Sequence, residues 1–159
     1  MKKSFLFISL ILSIVSHAQV TKVHLQASGL TCSMCSNAIN KALKSLDFID
    51  QVEANVTDYT FELTFRPHAD VDFDKIRKKV EGAGFFVSRF VATIHFDPVE
   101  LKEKVPVTIG NYSLLFVNNK ARSLNGLQEV TLLDKGFLTA QEYKRNALAP
   151  AAGVYHVRL

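Results

Sequence analysis

The sequence predicts an α+β chain in two parts: a βαββαβ sandwich, then a small β-rich domain with one helix. Three observations point there. Over residues 20–96 the spacing of apolar residues changes in the order strand, helix, strand, strand, helix, strand. A stretch rich in proline and charge, 97–106, reads as a linker. Beyond it, strand-like runs surround one capped helix. With 159 residues, 48% hydrophobic and 21% charged, the composition is that of a globular protein.

Residues 1–18 stand outside this pattern. Met1-Lys2-Lys3 is basic, Ser4–Val15 is apolar, and Ser16-His17-Ala18 places small residues around a cleavage point, the composition of a secretory leader. The apolar run is shorter than the ~20 residues a permanent span needs. Residues 1–18 are therefore expected to be a signal peptide, with no permanent membrane span and export to a periplasm, or secretion. Without Lys2 and Lys3 the chain has 17 basic and 15 acidic residues, a formal charge of +2. That balance lacks the dense basic face of nucleic-acid binders. Lys75-Ile76-Arg77-Lys78-Lys79 reads instead as the solvated side of a helix.

Each element has its own justification. Val23, Leu25 and Ala27 alternate with His24, Gln26 and Ser28, as in a half-buried strand. Ala38, Ile39, Ala42, Leu43 and Leu46 form one stripe of a helix from about Ser33 to Leu46. Val52, Ala54 and Val56 make a second strand; Phe61, Leu63 and Phe65 make a third, after a turn at Thr57-Asp58-Tyr59. Asp70 or Asp72 can cap the next helix, whose buried face is Phe73, Ile76 and Val80 and which Gly82 and Gly84 end. A strand-like run from Phe85 to Phe96 completes the unit, 19–96. This order makes a four-stranded antiparallel sheet with both helices on one face, a ferredoxin-like sandwich.

In 107–159 the expected elements are strands over Tyr112–Val117, Glu129–Leu133 and Val154–Leu159. Asn118-Asn119 and Asn125-Gly126 read as turns, and Thr139 with Glu142 has the capping-box spacing for a helix over Ala140–Leu148. A partly open barrel would accommodate these pieces.

The chemistry concentrates in Gly29-Leu30-Thr31-Cys32-Ser33-Met34-Cys35, which holds both cysteines of the chain where a strand hands over to a helix. The unpaired amides at a helix start favour thiolates. Thiolates select soft ions such as Cu(I). Two sulfurs suit a low-coordinate ion better than structural zinc, which takes four ligands. The same spacing also serves thiol–disulfide exchange. Against that, the chain has no tryptophan, and Ser33-Met34 rather than glycine-proline separates the cysteines. His24, His68 and His95 fall at polar or strand-end positions and read as surface residues. Tyr155 and His156 read as structural, Tyr112 and Phe116 as core.

This motif, with Ile39 and Leu43 behind it and Gly84-Phe85 downstream, resembles the heavy-metal-associated (HMA) domain family over about residues 21–92. Copper chaperones, N-terminal domains of metal-transporting ATPases and the periplasmic mercuric-ion-binding protein belong to that family. The resemblance implies that Cys32 and Cys35 ligate one soft ion, foremost Cu(I), with Ag, Hg, Zn or Cd as other cargoes. Thr31 would shape the loop, Phe85 would shield it, and Met34 would be an exposed loop residue rather than a third ligand. Leu30 replaces the family's usual methionine and should pack in the core. The implied partner is a metal-transporting ATPase or another cysteine-bearing acceptor, and a metal-bridged dimer is compatible with the same ligands. The function expected is an exported carrier passing the ion by thiolate exchange, not an enzyme. The alternatives are an exported thiol–disulfide oxidoreductase using the same pair, and a metal sensor or tether whose C-terminal domain binds a partner. The resemblance does not extend to residues 107–159, whose role it leaves open.

Overall fold

The computed structural model describes residues 19–30, 33–117, 123–146, 148–149 and 153–159. The expected leader, 1–18, and the expected turn at Asn118-Asn119 lie outside the described residues. Eleven elements follow in order: β1 (Gln19–Ser28), α1 (Ser33–Lys44), β2 (Ile49–Asn55), β3 (Thr60–Phe65), α2 (Phe73–Gly82), β4 (Phe86–Glu100), β5 (Val107–Ile109), β6 (Tyr112–Phe116), β7 (Ser123–Leu132), α3 (Ala140–Asn146) and β8 (Val154–Arg158).

The expected βαββαβ order is present, and its strands run β2-β3-β1-β4 with antiparallel pairing throughout. The alternation in β1 places Val23, Leu25 and Ala27 in the core. Ile39 and Leu43 of α1, and Phe73, Ile76 and Val80 of α2, belong to the same buried cluster. Of the two candidate caps for α2, Asp72 accepts the Lys75 N–H at 2.9 Å. Asp70 instead accepts a hydrogen bond from the Asn111 side chain.

The second half extends this sheet. All eight strands form one sheet, ordered β2-β3-β1-β4-β7-β8-β6-β5. β7 pairs antiparallel with β4, β8 antiparallel with β7, and β6 parallel with β8. The barrel that the isolated strands suggested does not form, because the open edge of β4 takes β7 as its partner instead. Two expectations change as a result. Asp97–Glu100 continues β4, with a bulge that sets Asp97 and Pro98 opposite Asn125 alone, so the proline's missing N–H breaks no regular ladder. Asn125-Gly126, expected as a turn, lies within β7, where Gly126 pairs with Phe96 and takes φ +72°. The short strand β5 was not foreseen. The Thr139–Glu142 box is formed: Thr139 N–H and Oγ1–H donate to Glu142 Oε2, and Glu142 N–H donates to Thr139 Oγ1.

The joint between the halves is aromatic. Phe73 packs against Phe90, Tyr112 and Tyr155, with ring centroids 5.3, 4.8 and 5.6 Å away. Phe137 stands edge-on to Phe90 and Tyr155, and the Arg77 guanidinium lies 5.6 Å from its ring centroid. These rings fill the corner beneath the N-terminal half of α2.

Candidate metal centre

The cysteine loop leaves the sheet at the end of β1. A bulge precedes it: Gln26 pairs with Arg89 and Ala27 with Val87, so Ser88 is the extra residue of β4, and its Oγ–H donates to the Gln26 carbonyl at 3.1 Å. Gly29 then turns the chain at φ +88°, a conformation that costs little only for glycine. Leu30 is buried, as expected of the residue replacing methionine. Thr31 and Cys32 lie outside the described residues.

Cys35 is the third residue of α1, half-buried and packed against the core cluster. The first turn of this helix contains no acidic residue, and Lys41 and Lys44 occupy its last turn. The lysines complement the negative end of the helix dipole, and the acid-free first turn leaves the positive end without a competing carboxylate beside the Cys35 sulfur. Met34 is 80% exposed, which fits a solvent-facing residue between the cysteines.

Phe85 stands beside the loop. A Cβ placed on Gly29 would lie 3.9 Å from Phe85 Cδ1. Its position is set by the end of α2, where Gly84 takes φ +90°, Gly84 N–H donates to Glu81 O and Phe85 N–H donates to Val80 O. The glycine-aromatic pair read from the sequence thus adjoins Gly29, at the entry to the cysteine loop.

Two features of this end of the sheet were not read from the sequence. A groove of about 470 Å³ runs between Ser28, Gly29 and Leu30 on one side and Thr139 and Glu142 on the other, with Arg89 along it. The start of α3 therefore borders the loop; no local signal places residues 139 and 29 together. The second is Ser36, buried directly after Cys35.

A larger cavity, about 550 Å³, lies between α2 and the second half, lined by Asp70, Asp74, Tyr112, Asp134, Phe137 and Tyr155 among others. Its carboxylates are engaged within the protein. Asp74 accepts from Arg77 and Tyr155, and Asp134 accepts the His156 backbone N–H at 2.6 Å and lies 2.8 Å from its ring Nδ1. Burial raises the Asp74 pKa, but the hydrogen bonds from Arg77 and Tyr155 outweigh it and leave this carboxyl below its ordinary value. Burial first, then neighbouring negative charge, pushes the Tyr112 and Tyr155 hydroxyls well above theirs. Tyr155 and His156 are the structural residues expected, and Tyr112 is half-buried against the core cluster. Among the described residues no group of three or more His, Cys, Asp or Glu could hold a metal.

A strand-to-helix cysteine site on a βαββαβ sheet defines a class of small metal-binding domains, and comparison agrees. Residues 24–86 match the family model of the heavy-metal-associated domain. The chain is 34% identical over 61 residues to a copper-exporting P-type ATPase of Staphylococcus saprophyticus, covering 38% of this chain and 8% of that protein. It is 32% identical over 69 residues to the probable copper-transporting ATPase HMA5 of Arabidopsis thaliana, covering 43% of this chain and 7% of the relative. The chain thus spans less than a tenth of the length of these curated relatives. Among solved structures, the putative copper-ion-binding protein from Bacillus anthracis is 28% identical, with 44% of this chain and 97% of that one covered and a TM-score of 0.40.

Proposed function

We propose that this protein is an exported carrier of one soft metal ion, Cu(I), held by Cys32 and Cys35 and passed on by thiolate exchange. The observation that carries the reading is Cys35 at the acid-free start of α1, beside Phe85, within the segment that matches the heavy-metal-associated domain. The copper-transporting relatives favour copper as the cargo.

Each of the chain's own groups has a part. The two sulfurs supply soft ligands for a low-coordinate ion. The start of α1 offsets the negative charge of a dithiolate. Phe85 limits access of water from one side, while the exposed Met34 side leaves a path for an incoming sulfur. A cysteine of the acceptor then adds to the ion before Cys32 or Cys35 leaves, so tight binding is compatible with fast transfer. The acceptor proposed is a metal-transporting ATPase or another cysteine-bearing protein; a second copy of this chain would give a metal-bridged dimer. No helix among the described residues is long and apolar enough to cross a membrane. Export rests on the composition of residues 1–18.

Anaerobic Cu(I) titration against a competing chelator, on wild type, Cys32→Ser, Cys35→Ser and the double variant, tests the reading. One Cu(I) per wild-type chain, lost in the double variant, is expected. Equal Cu(I) uptake by both, together with catalytic disulfide reduction by the wild type, would favour the oxidoreductase instead.

A further inference from the structure

Among the described residues one buried side-chain polar atom has no hydrogen-bond partner, Ser36 Oγ. Ser36 is 1% exposed, the fourth residue of α1, and shares the buried side of that helix with Ile39 and Leu43. A buried hydroxyl without a partner is unfavourable. Alanine would fit the same space, favour the helix more and bury nothing polar. Among the described residues this donor therefore has no acceptor, and an unsatisfied group of this kind calls for a reason.

Its setting supplies one. Ser36 directly follows Cys35, and Cys32 lies four positions before it in the chain. Loading changes the charge of this end of the helix according to the ion. Two thiolates around a monovalent ion carry a net charge of −1, and around a divalent ion they carry none. A hydroxyl donating to a charged acceptor makes a stronger bond than one donating to a neutral acceptor.

On the carrier reading above, we propose that Ser36 Oγ–H donates to a thiolate of the loaded site and so favours monovalent over divalent soft ions. Ser36 is then a specificity-determining residue that stays unpaired until cargo arrives.

The test compares full-length wild type, Ser36→Ala and Ser36→Thr under anaerobic conditions. Cu(I), Ag(I) and Hg(II) affinities are measured against competing chelators, and thermal unfolding is followed for the metal-free proteins. In Ser36→Ala, Cu(I) and Ag(I) binding should weaken by about tenfold, the scale of a hydrogen bond to a charged group. Hg(II) binding should weaken much less, and the metal-free variant should melt no lower than wild type. Ser36→Thr, which keeps the hydroxyl, should keep the wild-type ratio of Cu(I) to Hg(II) affinity. Equal weakening for all three ions, no weakening, or a lower melting point of metal-free Ser36→Ala would each overturn the inference while leaving the carrier reading intact. A wild type that takes up none of these ions would overturn both.

Discussion

The Tyr155 hydroxyl donates to Asp74 Oδ2 across 2.9 Å, joining β8 to the first turn of α2. Arg77 donates to the other oxygen of Asp74 at 2.8 Å and reaches Glu81 through Nη1 at 2.8 Å. The second half is thus fixed to the helix that leads into Gly84-Phe85, beside the cysteine loop. Replacing Tyr155 by Phe keeps the ring contacts and removes the bond. Since Asp74 is nearly half exposed, a loss of about 1 kcal/mol is expected, below the full value for a charged partner. Urea unfolding would measure it, and Cu(I) uptake should not change.

Phe73→Ala should cost far more. Phe73 is fully buried between Phe90 of one half and Tyr112 and Tyr155 of the other. A loss of about 3–5 kcal/mol is expected for such a cavity. Tyrosine fluorescence and far-ultraviolet circular dichroism should shift together along the denaturant axis. Two separate transitions would mean that the halves unfold independently.

The joint should also set the pH limits of stability. Asp74 titrates below its ordinary value in the folded state, so its contribution is present above about pH 4 and is lost as the pH falls. Asp74→Asn should flatten the acid limb of the stability curve. Tyr112 and Tyr155 are held neutral well above their ordinary value, so their contribution is complete below about pH 10 and is lost as the pH rises further. Ultraviolet titration should show their ionisation coinciding with alkaline unfolding; a reversible step in the folded state would contradict this.

Gly29 and Gly82 offer a paired test of backbone geometry. At Gly29 the space beside Phe85 admits a methyl group but φ is +88°, so Gly29→Ala should cost about 1–2 kcal/mol. At Gly82, the last residue of α2, nothing lies within 4 Å and φ is not positive. Gly82→Ala should therefore be neutral or stabilise by up to about 1 kcal/mol. Thermal unfolding of the two variants should diverge in sign.

The first half was legible because its signals are local. Period-two runs named β1 and β3, the Ile39 and Leu43 stripe named α1, and Gly84-Phe85 was identifiable through its place after α2. In the second half the capping box at Thr139 and Glu142 was equally readable, for the same reason. The extension of β4 to Glu100 was hidden by Pro98, which a bulge accommodates only once β7 lies alongside. Asn125-Gly126 has turn chemistry, yet its position opposite Phe96 makes it strand.

By itself, then, the sequence determined the order of the βαββαβ elements and the two-residue spacing of Cys32 and Cys35 after β1, since spacing along the chain encodes both. Only the tertiary structure decided that the second half extends the sheet from the edge of β4, that α3 borders the loop, and that the buried Ser36 hydroxyl has no partner among the described residues. Those outcomes depend on which strands meet and which polar atoms lose water, and residues 41 to 110 positions apart in the chain decide them, as in Asp70 with Asn111 or Gly29 with Thr139.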